Sequence, residues 1–171
     1  MAGAAPKFYW EDFPVGHTMR FGRTVVTREA VLEFARAYDP QPFHTDEAAA
    51  EQSLFGRLCA SGWHTCAMAM RMMCDAYLLE SASLGSPGID NLRWVKPVFP
   101  GDVLSMRLQV LDARPMASKP TVGLVHTQWT LHNQHDEPVL TIQGWGMFRR
   151  RPDGVEPQGP PLPAGPSADP A

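Results

Sequence analysis

One long apolar segment in the middle of the chain constrains the fold more than any other feature. In the stretch SGWHTCAMAMRMMCDAYLLESA, residues 61–82, the apolar side chains recur at helical spacing. They are Trp63, Cys66, Ala67, Met70, Met73 or Cys74, and Tyr77. Met68 and Met72 make the opposite face apolar too, and a helix that is apolar nearly all round is typical of a domain interior. The pattern therefore predicts a buried central helix that begins at Ser61 and Gly62.

Four segments with the composition of strands follow this helix. They are IDNLRWVKPVFP, DVLSMRLQVLDARP, TVGLVHTQWTLHN and PVLTIQGWGMFRRR. In the second segment Leu104, Met106, Leu108 and Val110 alternate with other residues, which predicts one buried face. Turn sequences, PGD and NQHDEP, separate the strands. One buried helix followed by antiparallel strands predicts an α+β domain with the sheet curled around the helix.

The first part of the chain predicts a strand and a helix. The segment from Thr18 to Thr27 has β-branched and aromatic residues without helical periodicity, so it is predicted as a strand. Thr27 is a suitable N-cap for the helix REAVLEFARAY. The residues predicted to share the buried face of that helix are Val31, Phe34, Ala35 and Tyr38.

Prolines punctuate the chain after this helix. The helix must end by Asp39, because Pro40 disfavours helical backbone angles at the residue before it. Pro42 is expected to prevent an immediate restart. Thr45 and Asp46 then supply an N-cap and a first-turn acid for a short helix, EAAAEQ.

Composition limits the partners and the compartment. The 171 residues are 44% hydrophobic, which is enough for one domain with a sizeable core. A formal net charge of -3 argues against a protein whose affinity depends on neutralising nucleic-acid phosphates. Cys59, Cys66 and Cys74 form no C-x-x-C pair, and their odd number suits a reducing compartment. No segment approaches the roughly 18 apolar residues of a membrane span. We therefore expect a soluble, cytoplasmic protein that binds neither nucleic acid nor membrane.

The chain divides into a folded domain, residues 1–150, and a C-terminal tail, residues 151–171. From Pro152 the tail consists mainly of proline, glycine and small residues, which cannot bury enough apolar surface to offset the entropy of ordering. We expect this tail to be flexible, and its removal to leave folding intact.

The sequence DPQPFH, from Asp39 to His44, is the first candidate site. A carboxylate beside an imidazole can polarise a water molecule or exchange protons with a substrate carbon. Five extended residues could span roughly 17 Å, so the pair can cooperate only if the Pro-Gln-Pro segment turns the chain back. The alternative is that Asp39 ends a helix and His44 hydrogen-bonds locally. Spacing alone leaves both interpretations open.

The sequence LCASGWH, residues 58–64, is the second candidate site. A glycine at the start of a buried helix exposes backbone N–H groups and the positive end of the helix dipole, which can hold a developing oxyanion. The alternative is that Gly62 only permits a tight turn or close packing. Taken with Asp39 and His44, this glycine suggests a thioester carbonyl bound at the helix start beside an activated water.

These motifs carry a family resemblance. DPQPFHTDEAAAEQSLFGRLCASGWHT followed by NLRWVKPVFPGDVL resembles the MaoC-like (R)-specific enoyl-CoA hydratase and dehydratase family, from about Phe8 to Arg150. The resemblance implies a single α+β hot-dog domain, in which a curved antiparallel sheet wraps around a long central helix. It also implies that Asp39 and His44 are catalytic and that the N–H of Gly62 binds the thioester oxygen.

Two residues depart from the family pattern, and we count both as substrate-binding candidates. Gln41 stands where many hydratases carry Asn, and its longer side chain could reposition the water or Asp39. Ser61 stands where many carry His, which removes a ring that would lie beside the acyl group. Asp39 and His44 are unchanged, so hydration remains the expected chemistry.

The resemblance implies an enzyme that adds or removes water reversibly at the α,β double bond of an acyl thioester, most simply a CoA ester. One of Asp39 and His44 would accept a proton as water attacks the β-carbon, and the other would protonate the α-carbon. No metal or redox cofactor is implied, since coenzyme A enters as part of the substrate. The resemblance further implies a homodimer with sheets paired edge to edge, or a higher homo-oligomer. The alternatives are an acyl-CoA thioesterase on the same fold and a non-catalytic acyl-CoA-binding protein.

Other polar residues are weaker candidates. His132 and His135 flank a polar turn and are predicted to be exposed rather than zinc ligands. His64 is predicted to be a core histidine whose hydrogen bonds are satisfied. Cys66 and Cys74 lie on the helical stripe and are predicted to be buried and inert.

Cations for the coenzyme A phosphates are not singled out by the sequence. The candidates are the run from Arg149 to Arg151, together with Arg93 and Lys96. The alternative for the arginine run is a solvated end of the last strand.

Overall fold

An antiparallel sheet beside one long helix forms the fold in a computed structural model, which describes residues 5–157 and Leu162. The strands are β1 (Thr18–Val25), β2 (Gly88–Trp94), β3 (Val103–Pro115), β4 (Val122–His132) and β5 (Pro138–Arg149). The helices are α1 (Arg28–Tyr38), α2 (Pro42–Thr45), α3 (Glu47–Glu51) and α4 (Gly62–Ala76), with 3₁₀ turns at Trp10–Asp12 and Leu78–Glu80. The strand order is β1-β3-β4-β5-β2, so β1 and β2 are the edges of this sheet.

The hydrophobic core lies between α4 and one face of the sheet. The predicted buried set of β3, Leu104, Met106, Leu108 and Val110, is buried. These residues belong to the same core cluster as Ala69, Met72 and Met73 of α4. The predicted α+β architecture, a long helix packed on an antiparallel sheet, is therefore confirmed.

The prediction that α4 is buried nearly all round is wrong in part. Trp63 and Met70 are half exposed, and Cys66 and Cys74 are only partly buried. Ala69 and its neighbours on the core side contact the sheet instead. An apolar composition cannot show which face of the helix meets the sheet, because both faces have the same hydrophobic character.

The helix α1 begins where it was predicted to begin, but one residue of its predicted buried face is exposed. Thr27 Oγ1 accepts a hydrogen bond from the N–H of Ala30 over 3.2 Å. Tyr38, predicted on the buried face, is 77% exposed, and Leu32 is buried instead. Tyr38 is the last residue of the helix, where the chain turns away from the core.

The expectation that Pro42 would prevent a new helix is wrong. The one-turn helix α2 begins at Pro42 itself. A proline is well tolerated at the first helical position, because the N–H that it lacks would have no intrahelical partner there. The helix α3 follows as predicted, but its cap lies one residue later than expected. Asp46, predicted as a first-turn acid, is the N-cap and accepts from the N–H of Ala49 over 2.7 Å, whereas Thr45, the predicted cap, is the last residue of α2.

The histidines of the β4–β5 turn differ from each other. His135 is exposed as predicted, whereas His132 is only 7% exposed. The prediction for His132 is wrong because β4 continues through residue 132 and pairs there with both β3 and β5.

Only the start of the predicted tail, residues 151–157, and Leu162 fall among the described residues. Arg151 Nη2 donates to both carboxylate oxygens of Asp12, at 2.7 and 2.6 Å. Leu162 is buried within the core cluster. The rest of the tail lies outside the described residues, so its flexibility stays a prediction. Within the described part of the chain, no helix is long and apolar enough to cross a membrane.

Candidate functional site

The DPQPFH turn brings Asp39 and His44 together. Asp39 follows the last residue of α1, and its N–H donates to the carbonyl of Ala35 over 2.9 Å. The carbonyl of Asp39 accepts from the N–H of Gln41 over 2.8 Å, which folds the chain back into α2. As a result His44 Nε2 lies 3.6 Å from Asp39 Oδ2. The prolines therefore turn the chain, as the cooperation of the pair requires.

The ring of His44 is held by the backbone of Cys59. His44 Nδ1 lies 2.8 Å from the carbonyl oxygen of Cys59. A carbonyl oxygen can only accept, so Nδ1 carries the proton and donates it. The ring is 5% exposed, and its other nitrogen, Nε2, faces Asp39.

Two side chains hold the carboxylate of Asp39. The hydroxyl of Ser61 donates to Oδ2 over 2.6 Å, and Gln41 Nε2 donates to Oδ1 over 2.7 Å. The pKa of Asp39 is lowered chiefly by the Ser61 hydrogen bond, with help from Gln41 and His44 and against the opposing effect of burial. Asp39 is therefore a carboxylate at neutral pH. Both residues that depart from the family pattern contact this acid.

The hydroxyl of Ser61 also caps α4. Ser61 Oγ accepts from the N–H of Trp63 over 3.2 Å while it donates to Asp39. One hydroxyl thus joins the start of the helix to the carboxylate.

Gly62 is the first residue of α4, so its N–H has no acceptor within the helix and lies at the positive end of the dipole. A Cβ at this position would lie 2.5 Å from Cε2 of Trp94. The absence of a side chain therefore lets the indole of Trp94 pack directly on the helix start.

These groups surround a cavity of about 370 Å³, which we call the Asp39 cavity. Asp39, Gln41, His44 and Gly62 line it, together with Phe55, Cys59, Ala60, Trp63, Thr65 and residues 94–98. Ser61 is fully buried behind Asp39. The arrangement places an imidazole, a carboxylate and a helix-start N–H around one space large enough for a small reacting group.

Sequence reasoning missed the part played by Cys59. Its contribution to His44 is a backbone carbonyl, which every residue type carries, so no sequence signal could identify it. The Cys59 thiol lies 3.6 Å from His44 Nδ1, and burial raises its pKa to about 11. It therefore stays protonated and is a poor nucleophile.

The candidate cations are separated in space. Lys96 lines the Asp39 cavity, and its ammonium pairs with Glu137. The run from Arg149 to Arg151 lines a different depression, of about 640 Å³, at the end of β5. Of these four, Lys96 is therefore the one that lines the same cavity as Asp39 and His44. Among the described residues, no three His, Cys, Asp or Glu side chains are grouped so as to hold a metal ion.

Comparison with known proteins identifies the fold family. Residues 12–130 match the family model described as MaoC like domain. A MaoC-like dehydratase of known structure from Rhodospirillum rubrum is 39% identical, with a TM-score of 0.79 over 85% of this chain and 99% of that one. The unliganded R-hydratase PhaJ1 from Pseudomonas aeruginosa is 21% identical, with a TM-score of 0.67 over 94% and 99% of the two chains, a likeness that concerns the fold. The expected hot-dog fold is confirmed.

A curated relative extends beyond this chain. The mesaconyl-CoA hydratase of Cereibacter sphaeroides is 28% identical over 91% of this chain. The match spans 45% of that enzyme, so this chain corresponds to about half of it.

Proposed function

This chain belongs to the MaoC-like dehydratase domain family, and from that membership we propose that it adds or removes water at the α,β double bond of an acyl thioester. The observation that carries the proposal is the distance of 3.6 Å between Asp39 Oδ2 and His44 Nε2. Both residues line a cavity with Gly62, whose N–H lacks an intrahelical acceptor. Hydratases among the compared proteins support the reaction class.

The pair can hold a water molecule in a reactive orientation. Nδ1 of His44 carries the proton, so the neutral ring presents Nε2 as an acceptor, and Asp39 Oδ2 is an acceptor as well. A group that bridges two acceptors must donate two protons, as water can. Its lone pairs then face away from the pair and toward the substrate.

Proton transfer follows from this arrangement. As the water oxygen bonds to the β-carbon, its O–H bond breaks and the proton passes to His44 Nε2. Asp39, whose pKa is lowered chiefly by the Ser61 hydrogen bond, is a weak base and orients the water. The electron pair of the double bond moves onto the thioester oxygen, where the N–H of Gly62 stabilises the enolate. Collapse of the enolate takes the proton from His44 to the α-carbon, and dehydration is the reverse.

We infer that the thioester is a coenzyme A ester and that the enzyme has no cofactor of its own. Lys96 is the nearest candidate for the anionic part of coenzyme A, because it lines the Asp39 cavity. A homodimer is proposed from the exposed edge of β2, and a cytoplasmic location from the three free thiols.

The test is the loss of conjugated absorbance from crotonyl-CoA and longer enoyl-CoA esters. We expect Asp39→Asn and His44→Ala each to lower kcat/KM by roughly 10²–10⁴-fold, as is typical of acid–base groups. Asp46→Asn and His135→Ala are matched controls outside the cavity and should retain activity. If the wild type and both cavity variants consume every ester at the same background rate, the hydratase proposal fails. Release of free thiol from a saturated acyl-CoA would instead indicate a thioesterase.

A further inference from the structure

A second cavity, of about 430 Å³, runs along α4, and we call it the α4 cavity. The helix residues that line it, with the tyrosine just beyond the helix end, are Trp63, Cys66, Met70, Met73 and Tyr77. They recur every three or four positions and so form one stripe along the helix. The helical rise from Trp63 to Tyr77 is about 21 Å. Trp63 also lines the Asp39 cavity, so the two spaces adjoin at this indole.

The wall of the α4 cavity is apolar and uncharged. The residues that the sheet and its flanking segments contribute include Leu92, Leu108, Trp129, Ile142 and Phe148. The lining includes no Asp, Glu, Lys, Arg or His side chain among the described residues. Cavities of roughly 300–1,000 Å³ with such linings enclose small apolar ligands that carry a few polar groups. A carboxylate would find no cation here, so the polar groups of an occupant must be neutral.

Tyr77 provides a hydrogen-bond donor at the far end of this cavity. Trp129 Nε1 donates to the hydroxyl oxygen of Tyr77 over 3.1 Å, and Tyr77 is 2% exposed. In the hydrogen bonds of residues 5–157 and Leu162, the Tyr77 hydroxyl accepts from Trp129 and is the donor in none. Burial raises the pKa of this phenol, so the proton is retained at physiological pH. The oxygen of the phenol is therefore paired with Trp129, while its O–H remains a donor that an occupant of the cavity can engage.

We propose that the α4 cavity binds a long acyl chain whose far end carries a neutral oxygen, a hydroxyl or a ketone, that accepts a hydrogen bond from Tyr77. The chain length follows from the distance between Trp63 and Tyr77, because a short acyl group would end beside Trp63. The neutral oxygen follows from the free phenolic proton in a wall without charges. The position of the double bond beside Asp39 rests on the proposed function.

Kinetics with two matched esters test the proposal. For the wild type we expect kcat/KM to be roughly tenfold higher for ω-hydroxyhexadecenoyl-CoA than for hexadecenoyl-CoA, the effect of one buried hydrogen bond. Tyr77→Phe should abolish this preference by slowing the hydroxylated ester alone. Octenoyl-CoA, which is too short to reach Tyr77, should be unaffected. Tyr9→Phe is the control, because Tyr9 is buried but does not line the α4 cavity.

Two outcomes would overturn the proposal. One is equal kcat/KM for the two long esters in the wild type. The other is an equal loss for both esters in Tyr77→Phe, which would assign the hydroxyl a structural role. If Tyr77→Phe does not fold, the comparison of the two esters on the wild type decides alone.

Calorimetric binding to the full chain separates this proposal from the proposed reaction. Wild-type protein should bind methyl ω-hydroxypalmitate more tightly than methyl palmitate, and Tyr77→Phe should bind the two neutral esters equally. If that holds while no enoyl ester is hydrated, the subsite stands and the proposed function fails. If the wild type binds both methyl esters equally, or binds neither, the subsite proposal fails whatever the enzyme activity.

Discussion

At the scale of single residues, Ser61 connects the acid–base pair to the helix that carries the proposed oxyanion site. Its hydroxyl donates to Asp39 and accepts from Trp63, so one side chain sets both the charge state of the acid and the start of α4. Substitution of Ser61 is therefore expected to change both the pKa of Asp39 and the stability of the protein.

Ser61→Ala should therefore raise the pKa of Asp39. The Ser61 hydrogen bond is the largest cause of the lowered pKa of Asp39, so its loss lets Asp39 protonate at higher pH. An NMR titration of the Asp39 carboxyl carbon measures the shift. Ser81→Ala, which removes a partly buried hydroxyl bonded to the carbonyl of Tyr77, should leave the titration of Asp39 in place. An unmoved Asp39 titration in Ser61→Ala would contradict this account of Asp39.

Ser61→Ala should also lose the part of the free energy of unfolding that depends on ionised Asp39. Because the folded pKa of Asp39 is lowered, its contribution is present above the unfolded value of about 3.9 and is lost as pH falls through the folded pKa. Removal of the α4 cap should cost a further ~1 kcal/mol. Thermal unfolding should then show a larger gap between wild type and Ser61→Ala at neutral pH than at pH values below the folded pKa.

At the scale of elements, the start of α4 is packed against the end of β2. The missing side chain of Gly62 leaves room for the indole of Trp94, which lies within 2.5 Å of the position that a Cβ would occupy. This contact fixes the helix start, and with it the N–H of Gly62, relative to the sheet.

Gly62→Ala should destabilise the protein by about 1–3 kcal/mol, as expected when a well-packed site is overfilled. A smaller residue at position 94 should relieve the clash. The double variant Gly62→Ala/Trp94→Leu should therefore be more stable than the sum of the single changes predicts. Denaturant titration of the four proteins measures the coupling, and strictly additive free energies would show that the two positions do not interact.

At the scale of the whole molecule, the edge of β2 is exposed beside apolar side chains of α4. Ile89 and Trp94 of β2 and Trp63 and Met70 of α4 are all exposed large apolar residues. An unpaired strand edge with apolar neighbours favours association, and an isologous dimer would pair β2 with its copy.

We therefore expect a dimer mass by light scattering at assay concentrations. Ile89→Lys should shift the protein toward monomer, because it would place a charge in an apolar interface. Leu79→Lys changes an apolar residue of the 3₁₀ turn after α4 that is even more exposed than Ile89, and it should leave the mass unchanged. A monomeric wild type would contradict the β2 interface.

Local chemistry explains why much of the fold and site could be predicted. Thr27 and Asp46 cap helices because their side chains reach N–H groups three residues away, an interaction within a single turn. The alternation in β3 marks its buried face for the same reason, since it depends only on strand geometry. The DPQPFH motif could suggest a carboxylate–imidazole pair because both groups lie on one short, proline-restricted turn.

Contacts between distant segments could not be predicted in this way. The burial of His132 depends on its neighbours in β3 and β5, and the orientation of His44 depends on a carbonyl fifteen residues away. The hydrogen bond from Trp129 to Tyr77 joins β4 to the end of α4 across 52 positions.

The sequence by itself determined which elements form, where most of them begin and end, and which side chains could perform acid–base chemistry. These properties follow from backbone angles, caps and hydrophobic periods that act over a few residues. Only the tertiary structure decided which face of α4 meets the sheet, what holds Asp39 and His44, and that Trp129 donates to Tyr77. Each of these depends on segments that are far apart in the sequence and are brought together by folding. Local sequence patterns carry no information about such contacts.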